Sequence, residues 1–289
     1  MSRLESICLD RPPPFRLSLA SECALVQLGA MTLTYLDPWM SSRHRQAIRD
    51  GVRRLYRGLL PGPGRAAIAS ALPFALGALV GGPCRTGHYF CLPPSAAASG
   101  TPASPRLRGV LIFLHGHGGN TACTPWALRE WADAEGLIVA CPSFGYGNWE
   151  AAGALEEVER VRQAVLRRYA ADPSRVWLAG LSQGGAGVSR VAAARPSDYR
   201  GLIFLSATME PAILADPAFV RGWAGRPIFV AQGGADHNVT PASVAAAVAL
   251  LRQQRARVTE LFDPEADHFL FFARTRWITA ALSDWLRLC

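Results

Sequence analysis

Hydrophobic and polar positions follow two different patterns along this chain of 289 residues. From about residue 85 onward, short continuous apolar runs alternate with longer stretches in which apolar residues recur every three or four positions. Such runs predict strands, with the run 110–114 typical of a strand buried on both faces, and the longer spacing predicts amphipathic helices. The predicted strands cover residues 87–92, 110–114, 137–141, 176–181, 202–205, 228–231 and 258–262. The predicted helices cover 124–135, with Thr124 as its N-cap, and 155–169, and others follow Ser182, Thr240 and Leu270. This alternation indicates an α/β fold, with a mostly parallel sheet covered by helices on both faces.

The first 83 residues have a different pattern. Residues 17–36 are apolar but are interrupted by Glu22 and Gln27, and residues 41–60 place apolar side chains on one face of a cationic helix. The Pro-Gly-Pro-Gly sequence at 61–64 ends that helix. We therefore predict two parts, an N-terminal helical appendage over 1–83 and a main domain over 84–289, with a Pro/Ser/Ala-rich surface loop at 93–105.

Composition excludes several classes of protein. Half of the residues are hydrophobic, which excludes a disordered chain. The net charge is +8 and every basic residue is arginine, but residues 1–83 hold ten arginines against five acidic residues, so the excess lies mainly outside the main domain. A nucleic-acid partner is therefore not expected. The seven cysteines form no Cys-x-x-Cys pair or zinc spacing, although Cys84 and Cys91 could bridge in an oxidising compartment. No phosphate loop or dinucleotide motif is present, and no cofactor is expected.

The most informative motif is Gly180-Leu181-Ser182-Gln183-Gly184. It joins a predicted strand to a predicted helix, which is the setting of a nucleophile elbow. The turn forces the serine into a strained conformation, and side chains at positions 180 and 184 would collide with the adjoining strand and helix. Asp236 and His268 follow, each just past its own predicted strand. The order of serine, acid and histidine is that of an α/β-hydrolase triad.

Together with Leu114-His115-Gly116-His117-Gly118-Gly119, Asp172-Pro173-Ser174-Arg175-Val176, Gly233-Gly234-Ala235-Asp236 and Asp267-His268-Phe269, this motif resembles the α/β-hydrolase superfamily. The similarity is greatest to small esterases related to dienelactone hydrolases, polyhydroxyalkanoate depolymerases and feruloyl esterases. It covers roughly residues 85–289. As a set, the motifs are specific for the fold and only weakly informative about the substrate.

These residues predict a division of roles. Ser182 is the expected nucleophile, with a helix-capping serine as the alternative, and His268 is the expected general base. Asp236 is the expected acid that orients His268, and Glu210 is its main rival, ahead of Asp267. The backbone amide of Gln183 and, as the resemblance implies, that of His117 are expected to form the oxyanion hole.

The expected reaction is hydrolysis of a small-molecule carboxylic ester through an acyl-enzyme on Ser182, with thioester or peptide cleavage as the alternative. Two other classes remain open. His115-x-His117 could belong to a metal-dependent hydrolase, or the chain could be a non-catalytic binding protein of the hydrolase fold. Aromatic residues near the site are expected either to wall an apolar pocket or to belong to the core, namely Phe144, Tyr146, Trp149, Phe269, Phe271 and Phe272.

The appendage suggests membrane association through residues 41–82. The uncharged stretch 66–82 is 17 residues long, at the lower edge of the roughly 17–25 residues that span a bilayer. With the arginine-rich stretch 43–65 retained in the cytoplasm, an anchor here would place the catalytic domain outside. Helix 41–60 could also lie with its apolar stripe on anionic lipid. The alternative is a cytoplasmic enzyme in which these helices pack over the site as a cap.

Overall fold

The computed structural model describes residues 3–10, 12–36, 42–61, 68–95 and 109–289. Eight strands within these ranges form one sheet, and they are β1 (Glu5–Cys8), β2 (Arg85–Leu92), β3 (Gly109–Leu114), β4 (Leu137–Phe144), β5 (Val176–Leu181), β6 (Gly201–Leu205), β7 (Pro227–Gly233) and β8 (Arg257–Asp263). Their order in the sheet is β1-β2-β4-β3-β5-β6-β7-β8. Strands β3 to β8 run parallel, whereas β1 and β2 are antiparallel at one edge. The predicted α/β architecture is confirmed.

The helices of the described residues are α1 (Leu19–Leu36), α2 (Ser42–Leu59), α3 (Leu72–Leu79), α4 (Cys123–Ala127), α5 (Arg129–Glu135), α6 (Ala154–Tyr169), α7 (Gly184–Ala194), α8 (Pro211–Leu214), α9 (Pro217–Trp223), α10 (Pro241–Gln253), α11 (Leu270–Ala273) and α12 (Thr275–Arg287). The single helix predicted over 124–135 is wrong, because it is divided at Leu128 into α4 and α5. The first of these begins after Ala122 rather than Thr124, and it accommodates Pro125 in its first turn, where a missing N–H breaks no helical hydrogen bond.

Apolar side chains pack on both faces of the sheet. One face is covered by α6, α7, α9 and α10, through residues such as Val158, Val188 and Leu251. The other is covered by α5, α12 and the appendage, through residues such as Trp131, Leu282 and Tyr56. The continuous apolar strands follow from this arrangement, since both of their faces are buried.

The described part of the appendage is packed onto the rest of the protein. Strand β1, which the sequence pattern did not predict, pairs with β2 at the edge of the sheet. The apolar stripe of α2 faces inward, with Ile48, Val52, Tyr56 and Leu59 all buried. The structure therefore does not support the possibility that this stripe lies on lipid, because protein already covers it. The boundary at 83/84 stays a prediction.

The uncharged stretch 66–82 is described from residue 68 onward. It forms the eight-residue helix α3, whose first half is buried at Leu72, Pro73, Phe74 and Ala75. No helix of the described residues is both long and apolar enough to cross a membrane. The apolar composition of this stretch is thus accounted for at least in part by packing on the protein, and an inserted anchor is not supported.

Two further expectations concern loops and cysteines. Most of the surface loop predicted at 93–105 and of the Pro-Gly break at 61–64 lies outside the described residues. Cys84 and Cys91 are both free thiols, with Cys91 fully buried on β2. The bridge that the sequence left open between them is not formed.

Candidate active site

Ser182 occupies a tight turn between β5 and α7. Its φ of 53° lies in the left-handed region that few non-glycine residues adopt. A Cβ on Gly180 would lie 2.5 Å from the backbone of Gly184, and one on Gly184 would lie 2.2 Å from the carbonyl oxygen of Leu114. Both motif glycines are therefore required by close backbone approach, as the sequence predicted, and together they raise Ser182 at the carboxyl end of the sheet.

Two further loops reach the same end of the sheet, after β7 and β8. The Gly233-Gly234 pair lets them meet, because a Cβ on Gly233 would lie 2.3 Å from the carbonyl oxygen of Ala266. The amide of Ala235 donates a hydrogen bond of 2.9 Å to that same oxygen. The first loop carries Asp236 and the second carries His268, so this close packing fixes their separation.

The side chains of Ser182, His268 and Asp236 form a continuous chain of contacts. The Ser182 Oγ lies 2.9 Å from His268 Nε2, and His268 Nδ1 lies 2.9 Å from Asp236 Oδ2. The carboxylate of Asp236 is completely buried. Its Oδ1 accepts the amides of Asn238 and Val239 at 2.9 and 2.8 Å. One carboxylate oxygen is thus fixed by the backbone, and the other faces the imidazole.

The two rival acids point elsewhere. Glu210 follows β6, but its carboxylate pairs with Arg190, with an Oε2–Nη2 distance of 2.9 Å. Asp267 turns back on its own loop, where its Oδ1 accepts the amide of Phe269 at 2.9 Å. Of the three carboxylates considered from the sequence, Asp236 is the one that contacts His268.

The loop from His115 to Asn120 lies beside the serine. A Cβ on Gly116 would come within 3.0 Å of Ser182 Cβ. The neighbouring amide of Gly118 donates to the carbonyl of Tyr146 at 3.1 Å. Within the described part of the chain, the amides of His117 and Gln183 donate no hydrogen bond to protein. Both donors predicted for the oxyanion hole are therefore available to a ligand.

His115 is a structural residue. Its Nδ1 donates to the carbonyl of Gly116 at 2.8 Å, and its Nε2 accepts the amide of Phe144 at 3.2 Å. Burial lowers the pKa of His115 to about 4, so the ring is neutral. Both ring nitrogens are engaged by the backbone and neither is free to ligate a metal. No cluster of three metal-ligating side chains occurs among the described residues, so nothing supports the metal-dependent alternative.

The aromatic residues near the site divide into two groups. Phe144, Trp149 and Phe271 are fully buried core residues, and the Trp149 indole supports the loop by donating to the carbonyl of His115 at 2.8 Å. Tyr146, Phe269 and Phe272 are only partly buried. The ring of Tyr146 stacks on that of His117, with centroids 6.0 Å apart, and Phe269 stands edge-on to His268. Only the second group is exposed enough to line a substrate pocket.

Sequence reasoning missed Asn120, which directly follows the glycine loop. Its buried side chain donates to the carbonyl of Cys141 at 2.7 Å and to the Ser143 hydroxyl at 3.0 Å. Ser143 in turn bonds His88 on β2 at 2.7 Å. These contacts tie the glycine loop to β4. The only sequence signal was an asparagine after two glycines, which is equally typical of an ordinary surface turn.

Comparison with known proteins identifies the fold from sequence and from structure. A sequence model of the alpha/beta hydrolase family matches residues 111–288. No curated protein matches the chain by sequence. The structural matches below have low sequence identity and therefore bear on the fold alone.

Three similar solved structures illustrate that fold. The substrate-bound fluorophosphonate-binding serine hydrolase F of Staphylococcus aureus has a TM-score of 0.58 at 14% identity, over 68% of this chain and 91% of that one. A thermostable esterase has a TM-score of 0.55 at 17% identity, over 69% of this chain and 58% of that one. An acylaminoacyl peptidase of Pyrococcus horikoshii has a TM-score of 0.54 at 11% identity, over 69% of this chain and only 39% of that one.

Proposed function

Because this chain belongs to the alpha/beta hydrolase family, we propose that it is a serine hydrolase that cleaves carboxylic esters with Ser182, His268 and Asp236. The observation that carries this proposal is the unbroken contact chain from Ser182 Oγ through His268 to the buried Asp236, with both links at 2.9 Å. A serine hydroxyl needs a base within hydrogen-bond reach, and the base needs a partner that fixes its orientation. Three loops supply these three groups at one end of the sheet.

In the first half of the reaction, Ser182 Oγ attacks the ester carbonyl carbon while its proton passes to His268 Nε2. Asp236 Oδ2 accepts the Nδ1–H of His268, which leaves Nε2 as the basic nitrogen and stabilises the imidazolium once it forms. The carbonyl oxygen becomes an oxyanion, and the amides of His117 and Gln183 are the donors available to it. Collapse of this intermediate breaks the bond to the alcohol, which leaves with the proton from Nε2.

In the second half, His268 takes a proton from water, and the resulting hydroxide attacks the acyl carbon bound to Ser182. A second oxyanion forms at the same two amides. Its collapse returns the proton to Ser182 Oγ and releases the carboxylic acid. The balance is one ester and one water converted into one acid and one alcohol, and no further reagent is required.

The same chemistry cleaves thioesters and peptides, so the substrate class needs its own support. The preference for esters comes from the resemblance to small esterases, and one structural neighbour is described as an esterase. Peptide cleavage remains the second candidate, because another neighbour is described as an acylaminoacyl peptidase.

A panel of chromogenic substrates tests this assignment. It contains p-nitrophenyl esters of short and medium acyl length, a feruloyl ester, an acyl thioester and acylaminoacyl p-nitroanilides, each assayed with wild type and Ser182→Ala. Ser197→Ala serves as the matched control, since Ser197 is exposed and follows the end of α7, away from the loops that carry the site. We expect the highest kcat/KM on an ester, abolished in Ser182→Ala only. Highest kcat/KM on an anilide or thioester would reassign the substrate class, and activity that survives in Ser182→Ala would contradict the mechanism.

A further inference from the structure

The appendage touches the chain directly after the glycine loop of the site. Glu22 lies on α1 and is completely buried. Its Oε1 accepts the backbone amide of Ala122 at 2.8 Å, only two residues beyond Asn120. The Tyr56 hydroxyl on α2 donates to the same oxygen at 2.7 Å. A carboxylate from the first 83 residues is therefore bonded to the main chain of the catalytic domain, 100 positions away in sequence.

The carboxyl group of Glu22 is removed from water, so its hydrogen bonds matter energetically. Burial raises the pKa of the Glu22 carboxyl, and the hydrogen bonds from Tyr56 and Ala122 oppose that rise. A carboxyl group removed from water is costly unless its partners are well placed. Oε1 of Glu22 has two such partners, the Tyr56 hydroxyl on α2 and the Ala122 amide, whereas the buried Oε2 has no hydrogen-bond partner among the described residues.

A second contact from the appendage bears on the same loop. Gly119 has a φ of 86°, and a Cβ on it would lie 2.5 Å from the Cβ of Ala75 on α3. Ala75 thus packs directly on the backbone of the loop. Between the two appendage contacts, Asn120 fastens the loop to β4 through the carbonyl of Cys141. The segment 119–122 is consequently held at three points, two of which belong to residues 1–83.

We propose that Glu22 is a positioning residue of the active site, which holds segment 119–122 so that the amide of His117 stays directed at the reacting oxygen. The inference rests on the proposed function, because it assigns a role within that oxyanion hole. It also gives the appendage a role in catalysis through the loop that it fixes. Misplacement of an oxyanion donor by a fraction of an ångström weakens a bond made mainly in the transition state, so kcat should fall while KM changes little.

The test compares Glu22→Leu with Glu22→Gln in the full-length protein. Leucine removes the acceptor for Ala122, whereas the glutamine amide oxygen retains it. Loss of one oxyanion donor typically costs ~10²–10³-fold in kcat, and for a displaced donor we expect ~10–100-fold in Glu22→Leu, with Glu22→Gln close to wild type. A trifluoromethyl ketone binds as a tetrahedral oxyanion, and its Ki should rise by a similar factor in Glu22→Leu.

Ile48→Ala provides the control for a merely structural role. Ile48 is a buried residue on the same face of α2 as Tyr56 but two turns away from it, so this variant loses stability without losing the contact to Ala122. Its kcat and trifluoromethyl ketone Ki should match wild type at temperatures where it is folded. If Glu22→Leu matches wild type in the same way, the proposal is wrong.

Two further measurements test the proposal if Glu22→Leu does not fold or if activity cannot be measured. If Glu22→Leu does not fold, Glu22→Ala takes its place, since it also removes the acceptor of the Ala122 amide, and an unchanged Ki in that variant would overturn the proposal. Amide hydrogen exchange should be faster over 117–122 in folded Glu22→Leu or Glu22→Ala than in wild type, independently of any activity. Wild type without Ser182-dependent activity would reject the proposed function, whereas active wild type with unaffected variants would reject only the role of Glu22.

Discussion

The proposed active site draws on two regions of the molecule, and the sequence encodes the contribution of each region differently. At the carboxyl end of the sheet, Ser182, Asp236 and His268 each lie within five residues of the end of a strand, and glycines near Ser182 and Asp236 permit the tight backbone approach. In the appendage, Glu22 is a single acidic residue within an apolar helix, and its partners are 34 and 100 positions away. The first kind of contribution is local in sequence, and the second exists only after folding. Substitutions in the two regions should therefore differ in size and in kind.

The largest effect is expected at Ser182. Replacement by alanine removes the nucleophile and should lower kcat by roughly 10⁴-fold or more, as is typical for triad members. His268→Ala should be similar in size and not additive with it, because the two residues act as one unit. Steady-state kinetics on the best ester of the panel measures both, and an additive double variant would contradict the shared role.

The next effect distinguishes the two acids. Asp236→Asn should lower kcat by about 10³–10⁴-fold, because an amide donor opposite His268 favours the wrong tautomer. Glu210→Gln is the matched control, since it removes only the pair with Arg190. The ratio of the two kcat values is the measurement. If Glu210→Gln loses activity while Asp236→Asn keeps it, the acid of the triad is Glu210 after β6 rather than Asp236 after β7.

The sheet region should also be intolerant of added volume. Gly184→Ala would place a methyl group 2.2 Å from the carbonyl oxygen of Leu114, and overpacking of this kind costs about 1–3 kcal/mol. Urea unfolding should report that loss, together with reduced activity from a displaced Ser182. Gly29→Ala on α1 has open space around it and should be neutral or slightly stabilising, which makes it the control.

Features that carry a local sequence pattern could be predicted, whereas features that depend on contacts between distant residues could not. The parallel strands and the order of Ser182, Asp236 and His268 could be predicted, because each strand, turn and helix carries its own pattern. Strand β1 could not, since its four residues become a strand only by pairing with β2. The stretch 66–82 suggested a membrane anchor that the structure does not support, because burial on protein and burial in lipid select the same apolar side chains. Hydropathy alone does not distinguish these environments.

Polar contacts between residues that are distant in sequence could not be predicted either. Asn120 could be recognised as a turn residue but not as a tie to Cys141, because the distance between them is set by the sheet. Glu22 was visible only as an interruption in an apolar run. Its importance depends on Tyr56 and Ala122, which no local pattern connects with it.

The smallest expected effect comes from the ionisation of Glu22 in the appendage. Burial raises the pKa of Glu22 above its usual value of 4.5, so the folded state favours the protonated carboxyl. The corresponding stability is fully present below pH 4.5 and is lost as the pH rises through the folded pKa. Glu22→Gln does not titrate and should therefore gain stability relative to wild type over that interval. Urea unfolding of both proteins from pH 4.5 to pH 8 tests this, and a constant difference would contradict the raised pKa.

The covalent adduct of a fluorophosphonate, located by mass spectrometry, tests the proposed role of Ser182 most directly. Wild type, Ser182→Ala and His268→Ala are incubated with the reagent, and the modified peptide is identified by mass spectrometry. If Ser182 is the nucleophile and His268 its base, one adduct forms, on Ser182, rapidly in wild type, much more slowly in His268→Ala and not at all in Ser182→Ala. No labelling of folded wild type, or an adduct on another serine that persists in Ser182→Ala, would contradict the proposed role of Ser182.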